Sequence, residues 1–432
     1  MAEQLRTKQR IAYIDFAKGL ACCMMLIGHA LSPNLLHMGI PGWLLVSIVT
    51  VAAPMFFFAS GMNVVTFYDA YSQKPGFKVT RFYLTSVAVL FVLSYTYTIN
   101  RMGFGMWQIF QCIAVSTGLT LLLVRKKLPT WAMLTIFFVG YMIWFRFWNT
   151  ISIDLAIIRA VSEDRQIFAE SVKFIHSLPP LMRYTFAHFS VLPWACFVLI
   201  GATTYRSIRR NPGKRDRWAI FYGAMFIFGL ISRRIWPSQP VWLNNIMDLF
   251  FRNFPLYFFG HLGMAGLFII ALDVWYAGAD AANNRIVKRV LGLIEYCGKE
   301  SFVFLIWHWL VLTVVQMLYM PLAADSVLGE APWKHHMIYV IALPLTLMTI
   351  RFAVRLGELW RATDSFNITA GLVLGLGTLL SLAALGTGRI SFMMLISFAP
   401  CLAFAYSYPK IRFWLRKRYS GPVKTKAEPA AS

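Results

Sequence analysis

Acidic residues are scarce in this chain: 18 Asp and Glu stand among 432 residues, against 41 Lys and Arg. Charge of either sign makes up only 14% of the sequence, so long stretches carry none at all. A soluble chain of this length, folded as two or three domains, would present far more charge to water. Cysteine is sparse too. Its six residues show no CxxC spacing and no Cys/His cluster of metal-site type, so neither a disulfide nor a bound metal is expected. No internal repeat is visible, which removes the usual sequence sign of an inverted-repeat transporter. Nor does a clear Asp or Glu fall in the core of an apolar run, where an ion-coupled carrier would need one.

What is abundant is apolar surface, with 58% hydrophobic and 16% aromatic residues. Uncharged or nearly uncharged runs of about 17 to 25 residues recur from end to end, each long enough to cross a hydrocarbon core of about 30 Å as a helix. About twelve spans (10 to 12) are expected, near 19–38, 43–68, 82–99, 106–124, 129–148, 184–204, 218–235, 252–272, 301–320, 336–350, 368–388 and 390–408. The expected fold is all-α: a polytopic transmembrane helical bundle forming one domain over 1–418, with a disordered tail at 419–432.

Basic residues gather in alternate loops. Arg6, Lys8 and Arg10, then Lys74, Lys78 and Arg81, then 125–127, 206–217 and 285–299 fall on one side, as do Arg351, Arg355, Arg361 and the basic C-terminal end. This positive-inside asymmetry predicts both termini in the cytoplasm. A net charge of +23 would otherwise suggest a nucleic-acid partner, but juxtamembrane residues beside anionic lipid account for it, and none is expected. The first apolar run lacks a small-residue cleavage site and precedes many more spans, so it reads as a first helix. "NNRIVKRVLGLIEYCGK", 283–299, reads as an amphipathic basic segment along the inner leaflet. "GLVLG", 371–375, reads as a close helix-packing contact.

The chemistry concentrates in "KGLACCMMLIGH", 18–29. Lys18 and His29 are eleven residues apart, so on a helix they lie about 20° from eclipsed and about 16 Å apart along the axis. Lys18 follows Asp15 by three positions and precedes a long uncharged stretch, which marks the inner interface; His29 then falls near the bilayer midplane. Snorkelling explains a lysine there, and an interhelical hydrogen bond explains a histidine. An intramembrane ionisable residue is also a functional candidate by default. His261, Gln108 and Gln111 are expected to make structural hydrogen bonds.

"YIDFAKGLACCMMLIGHA" resembles the signature of the membrane acyltransferase-3 superfamily, in which an Asp precedes an Arg-Gly and a His follows the Arg after ten residues. "AAPMFFFASGMNV", "FSVLPWACFVLIGATTY" and "CGKESFVFLIWHW" are similar to helices of the branch related to heparan-alpha-glucosaminide N-acetyltransferase. The expected Arg is Lys18 here, which keeps the charge but loses the planar two-oxygen fork.

The resemblance implies an inner (plasma) membrane acyltransferase of bacterial type. It would move an acyl group, most simply acetyl, from cytoplasmic acyl-CoA to a hydroxyl or amine of an extracytoplasmic glycan, with no permanently bound cofactor. It implies donor-binding roles for Lys18 and Asp15, and catalytic roles for His29 first, His37 second and His308 in the later helix. A neutral histidine suits a general base acting on the acceptor; direct transfer and an acyl-histidine intermediate both remain open. A non-catalytic carrier of a lipid-linked or small polar solute is the alternative, since intramembrane histidines serve both classes.

Overall fold

The computed structural model describes residues 2–30, 48–102, 108–148, 191–235, 255–278, 285–324, 334–385 and 390–420. Among these, thirteen α-helices and one short 3-10 turn account for the regular structure. In chain order they are α1 (Ala2–Ala30), α2 (Ala52–Ser72), α3 (Val79–Met102), α4 (Ile109–Arg125), α5 (Thr130–Trp148), α6 (Val191–Arg210), α7 (Arg215–Ile235), α8 (Pro255–Gly278), α9 (Arg285–Lys299), α10 (Ser301–Ala324), α11 (Lys334–Ala362), α12 (Phe366–Leu385) and α13 (Ile390–Tyr419).

Where the expected apolar runs fall on described residues they are helical, because a chain in hydrocarbon must satisfy its backbone polar groups within the segment. Six stretches among the described residues are long and apolar enough to cross a membrane, those at 48–72, 79–97, 191–210, 258–276, 301–318 and 337–362. Large hydrophobic side chains also remain exposed on outward faces, including Trp131, Val139 and Met142 of α5, Met348 and Phe352 of α11, and Leu372, Leu376 and Leu379 of α12. Such a belt suits lipid and not water. The chain is a membrane protein.

Helices α1, α2 and α6 form the centre. Gly61 of α2 faces the Val198 carbonyl of α6, and Gly201 of α6 faces the Phe58 carbonyl of α2, so neither position has room for a Cβ. The two backbones therefore touch, as small residues permit where no hydrophobic force draws helices together. Around this centre α7 pairs with α8, α3 with α4 and α13, and α10 with α11 and α13.

Within the expected amphipathic segment, residues 285–299 form α9, which is clamped to α1: Gly298 meets the Asp15 carbonyl and Gly19 meets the Ile294 carbonyl. Tyr276 of α8 adds a hydrogen bond to Glu295 at 2.5 Å. The expected glycine contact of "GLVLG" is not found: a side chain at Gly371 or Gly375 would meet nothing within 4 Å, and it is Leu374 that packs against the core.

Candidate functional site

Asp15 and Lys18 lie one turn apart on α1, and the Lys18 ammonium sits 2.7 Å from the Asp15 carboxylate. Lys18 is only 9% exposed. The α9 clamp at Gly298 covers this turn of α1 at the Asp15 carbonyl and Gly19. Asp15 neutralises and orients a lysine that would otherwise be a lone buried charge.

Farther along α1, the His29 ring stacks on His308 of α10, with centroids 5.7 Å apart and planes 16° from parallel. Trp309 closes on the same imidazole at 4.3 Å. His308 is 1% exposed, and its Nδ1 lies 2.9 Å from the Phe304 carbonyl. A carbonyl only accepts, so Nδ1 carries a proton and donates it to this bond. The structure thus brings together two of the three expected histidines. His37 lies outside the described residues.

A cavity of about 830 Å³ opens between α1, α2, α3, α4, α10 and α13. Its size falls in the roughly 300–1,000 Å³ range of small-molecule sites. Lys18, Lys299, Arg412 and Arg416 line it, and Glu300 is the one acid among the lining residues. Basic groups converging in a cleft attract an anionic ligand and raise its local concentration. Deeper in, the lining includes Phe56, Leu90 and Phe110, together with the hydroxyls of Ser60, Ser86 and Thr117. These hydroxyls donate to the carbonyls of Phe56, Phe82 and Ile113 at 2.7–2.8 Å, leaving their oxygens as acceptors. Leu305 also lines the cavity, and its neighbour one turn on is His308. Neither His29 nor His308 is itself among the lining residues.

Burial raises the Glu300 carboxyl above its ordinary range, opposed chiefly by Lys299 and Arg361. Burial likewise pushes the Cys297 thiol up to about 12, which removes a thiolate from consideration there. Cys22, like all six cysteines, is buried and unbridged.

His261 meets the Thr50 hydroxyl at 3.1 Å, and the Gln108 backbone N–H donates to the Gln111 side-chain oxygen at 3.0 Å. Both are structural contacts. Sequence reasoning passed over Arg412 and Arg416, grouping them with a lipid-facing basic end. The available signal was register: Tyr408, Arg412 and Arg416 repeat every four residues and so share one helix face. On α2, Phe56, Ser60 and Asn63 form a similar partly polar stripe in an otherwise apolar run.

A family model described as heparan-alpha-glucosaminide N-acetyltransferase, catalytic, matches residues 10–234. Comparisons with curated proteins and with solved structures give no match.

Proposed function

Because the chain belongs to the heparan-alpha-glucosaminide N-acetyltransferase catalytic family, we propose that it transfers an acetyl group from cytoplasmic acetyl-CoA to a hydroxyl or amine of an extracytoplasmic glycan. One observation supports this reading beyond family membership: the cavity lined by Lys18, Lys299, Arg412 and Arg416 also takes in Leu305, which stands one turn before His308 of the stacked His29–His308 pair. Basic groups beside apolar walls suit a charged donor with a long neutral arm. Its phosphates would rest by Lys18, and its thioester would lie about 16 Å farther along α1, near His29.

His29 is the general base. It removes the proton from the acceptor hydroxyl or amine as that group attacks the thioester carbonyl, and coenzyme A leaves as a thiol. His308, held by the Phe304 carbonyl, fixes the orientation of the His29 ring through stacking. Trp309 packs against the His29 ring and helps to hold it. Asp15 holds Lys18 at the wall where a donor phosphate would reach it. No metal takes part in this scheme; catalysis rests on positioning and proton transfer.

Purified protein given acetyl-CoA and a glycan acceptor, with thiol release followed, provides the test. His29→Ala is expected to abolish turnover, whereas Lys18→Ala mainly raises the KM for acetyl-CoA. Undiminished turnover in His29→Ala would sink the base assignment. Failure of folded wild type to bind any acyl-CoA would favour a solute carrier.

A further inference from the structure

Arg412 and Arg416 belong to α13, outside the family-matched segment, yet they line the same cavity as Lys18. Neither pairs with a carboxylate among the described residues. Each instead rests on an aromatic ring. The Arg412 guanidinium lies 5.6 Å from the Phe67 centroid and 5.9 Å from that of Phe82, and Arg416 lies 5.1 Å from Tyr71. The rings form a ledge of their own, with Phe67 stacked on Tyr71 at 4.6 Å and on Phe82 at 5.6 Å.

The ledge is held in place from two sides. Tyr419, at the end of α13, accepts a hydrogen bond at its carbonyl from the Lys78 amide at 3.2 Å, and its hydroxyl meets Thr85 of α3 at 3.2 Å. One turn or two before that anchor, Arg412 and Arg416 are fixed over the aromatic rings of α2 and α3 with their donors uncommitted to any acid. Guanidinium forks of this kind bind phosphate oxygens two at a time, and flat aromatic and guanidinium surfaces stack a purine.

We propose that Arg412, Arg416 and the Phe67–Tyr71 ledge, backed by the buried Phe82, form the subsite for a phosphorylated purine nucleoside, the nucleotide end of the donor. The proposal rests on the acyltransferase reading above. It also accounts for Lys18: with two arginine forks at the mouth, the α1 motif position needs only a point charge for the phosphates nearest the arm. The nucleotide subsite is thus contributed by the C-terminal helix, and the acyl end by α1 and α10.

The test compares two donors in the full-length protein, acetyl-CoA and S-acetylpantetheine, which lacks the nucleotide. Arg412→Gln and Arg416→Gln are each expected to raise the KM for acetyl-CoA on the order of tenfold, as loss of a charge-assisted hydrogen bond does. The KM for S-acetylpantetheine should move by less than about twofold, so each variant narrows the preference between donors. Arg412→Lys should restore part of it. An unchanged acetyl-CoA KM, or equal loss with both donors, would overturn the subsite. Lipid headgroups carry the same phosphate chemistry, so the kinetics are repeated in vesicles of phosphatidylcholine alone and with phosphatidylglycerol. A variant effect confined to the anionic vesicles would assign the arginines to lipid and overturn the proposal. Wild type that uses neither donor would fail the acyltransferase reading itself, a different outcome from wild type that uses both equally well.

Discussion

Lys18 and Glu300 share one cavity wall but answer to opposite rules. Lys18 is a buried cation with its counter-ion on the same helix. Asp15→Asn leaves that ammonium buried beside a neutral amide, and a loss on the order of 3 kcal/mol is expected, read as a lowered thermal midpoint in detergent. Glu300 is a carboxyl that burial already pushes toward its neutral form. A carboxyl raised in the folded state favours folding at low pH, and that contribution is lost as pH rises through the raised value. As pH falls through the same value, Glu300 becomes neutral and the mouth gains net positive charge. The KM for acetyl-CoA is then expected to fall more in wild type than in Glu300→Gln, which already has a low KM at neutral pH. A pH profile of both proteins checks this, and the advantage of the variant should shrink at high salt.

Among the helices, the junction of α9 with α1 is the most exacting. Backbone meets backbone at Gly19 and Gly298, so a single added methyl group has nowhere to go. Gly298→Ala is expected to cost about 1–3 kcal/mol by overpacking and to weaken donor binding through Lys299 and Lys18. Gly292, on the same helix, has nothing within 4 Å of its would-be Cβ. Gly292→Ala should therefore be stabilising by up to about 1 kcal/mol from helix propensity alone. Melting curves of the two variants separate a packing effect from a propensity effect. An amphipathic pattern announces that α9 has two faces, but the small residue that admits close approach is visible only beside its partner.

For the whole molecule, the proposed reaction has a direction. The cavity proposed for the donor is lined by Lys18, Lys299 and basic residues of α13, which belong to the side that the loop charges predict to be cytoplasmic. In proteoliposomes with known insertion, acetyl-CoA supplied on the face bearing both termini should acetylate an acceptor on the opposite face. Acetyl-CoA on the other face should give no product, and product from that side would reverse the assigned orientation.

Hydrophobic runs by themselves determined where the helices are, since backbone hydrogen bonds in hydrocarbon must close within each segment, and this requirement is local. Helical register likewise put Lys18 and His29 on one face before any packing was known. Which other groups join that face was decided only by tertiary structure. His308 reaches His29, and Arg412 and Arg416 reach the cavity of Lys18, because glycine contacts and aromatic packing bring distant helices together. Those contacts depend on complementary shape between segments far apart in the chain, which no single segment encodes.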